Sequence, residues 1–125
     1  MLQALSVLTL VIGVAGATFA QTPWQCRPKI KWHTTLLKWE LISSACPAIA
    51  CPDDSGYTCD TLVIPGTGYQ GCSCPTAGPS CVLIYKLLGG GNIDVQCKDY
   101  CPNHTCSGPV RESGTDEAMC LACGQ

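Results

Sequence analysis

The sequence predicts a small, disulfide-rich, mainly β domain of short hairpins and long loops, held by up to six disulfides. Three observations predict it. Twelve of the 125 residues are Cys, a density that marks a disulfide scaffold in a short chain. Leu, Ile and Val make only 18 of the 105 residues from Gln21 onward, too few to fill a large core unaided. Thirteen Gly and nine Pro scatter turn signals along the chain, which disfavours long helices.

The first twenty residues carry no charged side chain, and Leu5 to Val14 is mostly apolar. That is the length of a signal h-region. Small residues follow at Ala15-Gly16-Ala17 and Thr18-Phe19-Ala20, and polar Gln21-Thr22-Pro23 comes next. We read residues 1–20 as a signal peptide and 21–125 as one cysteine-rich secreted domain. No second long apolar run follows, so no membrane partner is expected once the signal is removed.

From the first cysteine on, residues 29–42 read KIKWHTTLLKWELI. Ile30, Trp32 and Thr34 alternate with Lys31 and His33. Leu37, Trp39 and Leu41 alternate with Lys38 and Glu40. Period two predicts two short strands. A helix competes, because Trp32, Leu36 and Trp39 also fall at helical spacing. With no Phe after residue 19, Trp32 and Trp39 are the expected core, whereas Trp24 is expected to be partly exposed. Asp53-Asp54-Ser55-Gly56 reads as a turn. Thr61 to Ile64 reads as a strand broken by Pro65-Gly66, and Tyr69 to Cys74 as its return. Val82 to Leu88, then Gly89-Gly90-Gly91-Asn92, then Ile93, Val95 and Cys97 in alternation, form the clearest hairpin signal. Residues 107–117 hold one apolar residue and no period, so an exposed loop is expected there. The intervals between cysteines show no fixed period, and no tandem repeat is read from them.

All twelve cysteines (Cys26, Cys46, Cys51, Cys59, Cys72, Cys74, Cys81, Cys97, Cys101, Cys106, Cys120 and Cys123) are expected in disulfides. An oxidising compartment favours bridges over thiolates. The two His do not form an H-x₃₋₅-H pair, so neither a metal nor any other cofactor is expected. Spacing leaves the pairing open. Cys72 and Cys74, on one face of a strand, should bridge to different neighbours. Asn103-His104-Thr105 is a glycosylation sequon on Asn103.

Catalysis finds no set of residues here. His33 reads as an exposed strand residue, His104 lies inside the sequon, and Asp53 and Asp54 are neighbours that point apart. The chain is therefore not expected to be an enzyme. Net charge is −2, which gives no drive towards nucleic acid. The charge is uneven: residues 21–39 carry four basic side chains and no acid. Lys29 and Lys31 are candidate contacts on that segment. Leu62, Val63 and Ile64 in the Cys59–Cys72 loop, Leu87 and Leu88 at the hairpin tip, and Trp24 are the apolar candidates. A disulfide-pinned loop loses little entropy on binding. The expected function is a secreted, monomeric binding protein that blocks or modulates an extracellular protein, as an inhibitor, toxin or effector of salivary or venom type. The alternatives are a structural or adhesive extracellular-layer protein and a small secreted hydrolase.

Local resemblances exist. Cys97 to Cys106, with Asn103-His104-Thr105-Cys106-Ser107-Gly108-Pro109, resembles the Cys-rich tails of tick salivary chemokine-binding proteins. Cys26 to Cys51 is similar to the start of a single-domain von Willebrand type C module, and Cys46 to Cys81 to an EGF-like order that includes Cys72-x-Cys74. Each covers a third of the chain or less, and no family is assigned from them.

Overall fold

The computed structural model describes residues 26–124 apart from Asp53, Ala77 and His104. The signal segment and the readings on Trp24, Asp53 and His104 lie outside the described residues.

The described chain is all β: eight short strands paired antiparallel as four hairpins. β1 (Lys29–His33) pairs with β2 (Lys38–Ser43), so the strand reading of this segment holds over the helical one. β3 (Asp60–Val63) pairs with β4 (Gln70–Ser73), and β5 (Cys81–Gly89) with β6 (Asn92–Asp99). The last hairpin, β7 (Val110–Arg111) with β8 (Ala118–Met119), replaces the expected loop. Its turn is closed by Asp116 N donating to Glu112 O. Two-residue strands are too short to print a period, which is why the pattern was invisible. β4 also pairs with β5, giving one four-stranded sheet in the order β3-β4-β5-β6.

The twelve cysteines form six bridges: Cys26–Cys59, Cys46–Cys72, Cys51–Cys74, Cys81–Cys106, Cys97–Cys120 and Cys101–Cys123. Cys72 and Cys74 do bridge to different neighbours. Three bridges lie within residues 26–74 and three within 81–123. None crosses residues 75–80.

Cysteines also frame every hairpin. Cys26 and Cys46 flank β1–β2, and Cys59 and Cys72 bound β3–β4. Cys81 and Cys97 bound β5–β6, and Cys106 and Cys120 flank β7–β8. The bridges therefore gather at one end of the molecule, here called the base, and the turns point away from it.

The core is small. Ile30, Leu83, Tyr85, Val95, Ala118 and Cys120 are buried together, with Trp39, Leu41 and Ile93 packed partly against them. Trp32 and Trp39 are not its centre, contrary to expectation. They face each other across the β1–β2 ladder, edge to face at 5.1 Å, and both remain half-buried. Tyr85 and Ile30 are the largest fully buried side chains in strands. A strand face can supply a core only where a second layer covers it, and the Trp pair lies toward the turn end of its hairpin, where Trp39 reaches the edge of the core and Trp32 meets the Arg111 guanidinium instead.

Gly71 shows how closely β4 and β5 approach. A Cβ there would lie 2.4 Å from the Leu83 carbonyl oxygen, a backbone atom that cannot swing aside. Gly78, by contrast, has open space around it. In oxidised protein Gly71→Ala should lower the unfolding free energy by about 1–3 kcal/mol, while Gly78→Ala leaves it within about 1 kcal/mol of the parent. Denaturant titrations of both variants without reductant check this.

Candidate functional site

Strand register places all four hairpin turns at the same end. Lys38, the first residue of β2, donates from Nζ to Asn92 Oδ1 at 3.0 Å, so the 34–37 turn lies beside the 90–91 turn. Gln70 is opposite Tyr85 in the β4–β5 pair. Tyr69 therefore lies next to Lys86, whose Nζ is 5.7 Å from the Tyr69 ring centre, and the 64–69 turn joins the same end. Trp32 N donates to Asp116 O at 2.8 Å, which brings the 112–116 turn alongside β1. The Arg111 guanidinium stacks 5.6 Å from the Trp32 ring.

Among the described residues this end collects most of the large exposed apolar side chains. Leu36, Leu37, Val63, Leu87 and Leu88 are each between 58 and 70% exposed. A groove of about 550 Å³ lies beside Leu37, lined by Trp32, Thr34, Leu37, Trp39, Pro109 and Arg111. Exposed apolar side chains gathered at one end beside a groove mark an interaction site more often than a single stray Leu does.

The turns are built locally. His33 Nδ1 accepts from Leu36 N at 3.0 Å, and Leu37 N donates to His33 O at 2.8 Å. His33 is thus a turn-closing residue. Leu37 adopts a φ of +54°, a left-handed conformation that costs a bulky residue about 1–2 kcal/mol. Thr67 Oγ1 donates to Ile64 O and accepts from Tyr69 N. The β3–β4 turn is thereby fixed by its own Thr. In the β5–β6 turn, Gly89, Gly90 and Gly91 all have positive φ, as the sequence required.

Of the candidate contacts read from sequence, Val63, Leu87 and Leu88 are exposed at this end. Leu62 and Ile64 are half-buried: alternation along β3 turns Leu62 inward and Val63 out. Ile64 anchors its turn through backbone bonds to Tyr69 and Thr67. Lys29, at the start of β1, lies at the base, several residues of strand away from the turns. Lys31 is exposed but has Glu40 opposite it and Glu117 bridged beside it. Arg27 is buried and paired with Glu112 at 2.9 Å and Glu117 at 3.9 Å. Of the basic run, Arg27 is thus met by acids from a distant segment, and Lys38 by Asn92. Asn103 is exposed in the 101–106 loop at the base. Sequence reasoning missed Leu36 and Leu37. Alternation of Leu37, Trp39 and Leu41 with Lys38 and Glu40 assigned Leu37 to a strand face, whereas the chain reverses at that point.

Among the described residues every cysteine is bridged. The close approach of the Cys81, Cys101 and Cys123 sulfurs is the meeting of two of these bridges, which leaves no thiolate to hold a metal. The best-defined polar cluster lies on the sheet. Tyr69 Oη donates to the Asp94 carboxylate, and Gln96 Nε2 donates to both, at 2.9 and 3.1 Å. The hydrogen bond to Asp94 raises the Tyr69 phenol above its ordinary 10.0. A proton held more tightly in the folded state stabilises it below pH 10, and this contribution is lost as pH rises through the folded value. In an absorbance titration, Asp94→Asn should therefore move the Tyr69 ionisation to lower pH.

No family model matches the chain, and no curated protein or solved structure does so.

Proposed function

We propose that this protein is a secreted binding module that blocks or modulates an extracellular protein, and that it does so with the turn end. Disulfides of this density belong to an oxidising, extracellular setting, and the base that carries them leaves the turns free.

The observation that carries the reading is Leu37. It is 70% exposed and holds a left-handed backbone that a Gly would adopt without cost. A strained, exposed, apolar residue contributes little to stability, and such strain concentrates at functional sites. Leu36 precedes it in the same turn, and Val63, Leu87 and Leu88 add exposed apolar side chains on other cross-linked hairpins at this end. Preorganised contacts lose little entropy on binding. The half-exposed Trp pair beside Arg111 adds the residue types that dominate binding hot spots.

The test immobilises oxidised protein and exposes it to a complex extracellular fluid, with reduced and alkylated protein as control. A specific partner should be held by the oxidised form alone. Leu37→Gly should raise stability by about 1 kcal/mol yet lower retention at least about tenfold. Tyr57→Ser, at an exposed apolar site in the base, should change neither. Retention that survives Leu37→Gly and Leu88→Asp but fails with Tyr57→Ser would move the site to the base. Retention of further copies of this chain alone would favour an adhesive, layer-forming role.

A further inference from the structure

The two sets of bridges share one order. Counted within residues 26–74 the first cysteine joins the fourth, the second the fifth and the third the sixth. The same holds within residues 81–123. Each half runs a longer hairpin from its first cysteine to its second, then short base loops, then a shorter hairpin from its fourth to its fifth.

The longer hairpins also match pair by pair. From base to turn, β1–β2 sets Ile30 opposite Leu41, Lys31 opposite Glu40 and Trp32 opposite Trp39. β5–β6 sets Tyr85 opposite Val95, Lys86 opposite Asp94 and Leu87 opposite Ile93. Both read core pair, Lys–acid pair, apolar pair. Ile30 and Tyr85 each stand four residues after the first cysteine of their half, and each is fully buried.

The halves grip each other reciprocally. β4 of the first half pairs with β5 of the second. In return, Glu117, just before β8 of the second half, bridges Lys31 in β1 of the first. Arg27 of the first half pairs with Glu112 and Glu117 of the second. Ile30 completes a core whose other buried members, Leu83, Tyr85, Val95, Ala118 and Cys120, belong to the second half.

We infer that the chain is a duplicated six-cysteine unit, and that the surface joining its two units also fits a second copy of this chain. Units 26–74 and 81–123 share one covalent link, residues 75–80, and no disulfide crosses it. Each unit keeps its three bridges when the two part, so each remains a shaped complement to the other. Nothing in the contact distinguishes a partner unit on the same chain from one on another chain. Six residues span about 20 Å when extended, and Pro75 and Pro79 favour extended backbone. Docking within one chain wins when the protein is dilute, because the connector supplies a high effective concentration. Reciprocal exchange between two chains wins when units part and close again in concentrated protein.

The test unfolds the oxidised full chain in guanidinium without reductant and refolds it by dilution, once concentrated and once dilute. Light scattering after gel filtration reads the mass. The expected result is monomer from the dilute sample and a species of twice that mass from the concentrated one, which runs as monomer on a non-reducing denaturing gel. A variant with a protease site inserted after Pro75 separates exchange from other contacts. Cutting it should halve the mass of an exchanged dimer, since each pair of units then stands alone. Monomer at every concentration, aggregate without a defined dimer, or a dimer whose mass survives the cut would each overturn the exchange.

Discussion

Six disulfides at one end of the molecule are the constraint on which the remaining structure depends. Each hairpin leaves the base near one cysteine and returns near another, so closing the bridges fixes where every strand starts. The bridged residues are 22 to 33 positions apart in sequence, a range in which each bridge contributes about 3–4 kcal/mol by restricting the unfolded chain. The apolar core is a handful of side chains around Tyr85 and Ile30. A core of that size does not hold four hairpins in one orientation by itself, and the bridges supply what it lacks.

That division of labour explains why the turn end is open to other uses. Stability is concentrated in the base and in the strand segments next to it. Leu36, Leu37, Leu87 and Leu88 lie beyond both, and they are free to be apolar and exposed without opening the core. Val63 has the same freedom, because the inward place on β3 is taken by Leu62. A positive φ at Leu37 is tolerable because the 34–37 turn is over-determined by two hydrogen bonds to His33. The ion pairs of Arg27 tie the first residues after Cys26 to the last hairpin, which keeps the 112–116 turn beside Trp32.

The hairpins at 29–42 and 81–97 were legible in the sequence because each strand is long enough to show alternation and each turn has its own chemistry. The 59–74 hairpin was legible for a similar reason, through β-branched Thr61, Val63 and Ile64 followed by Pro65-Gly66. The hairpin at 110–119 was not, because its buried member is Ala118, which no apolar pattern picks out. Trp32 and Trp39 misled as the centre of the core because residue type implies full burial only where another layer covers the strand face, and that cover reaches Trp39 only in part. The gathering of four turns at one end was out of reach, since it follows from the pairing of Gln70 with Tyr85 and of Lys31 with Glu117, contacts between distant segments. The matched order of the bridges was hidden for the same reason: the spacings differ between halves, and only the pairing reveals the common pattern.

The measurement that bears most directly on this account is a disulfide map of the native protein, obtained by proteolysis without reduction and mass spectrometry of the linked peptides. The expected map has Cys26–Cys59, Cys46–Cys72 and Cys51–Cys74 in one group of peptides, and Cys81–Cys106, Cys97–Cys120 and Cys101–Cys123 in the other. A single bridge joining a cysteine before residue 75 to one after residue 80 would contradict it, and with it the common base from which the four hairpins arise.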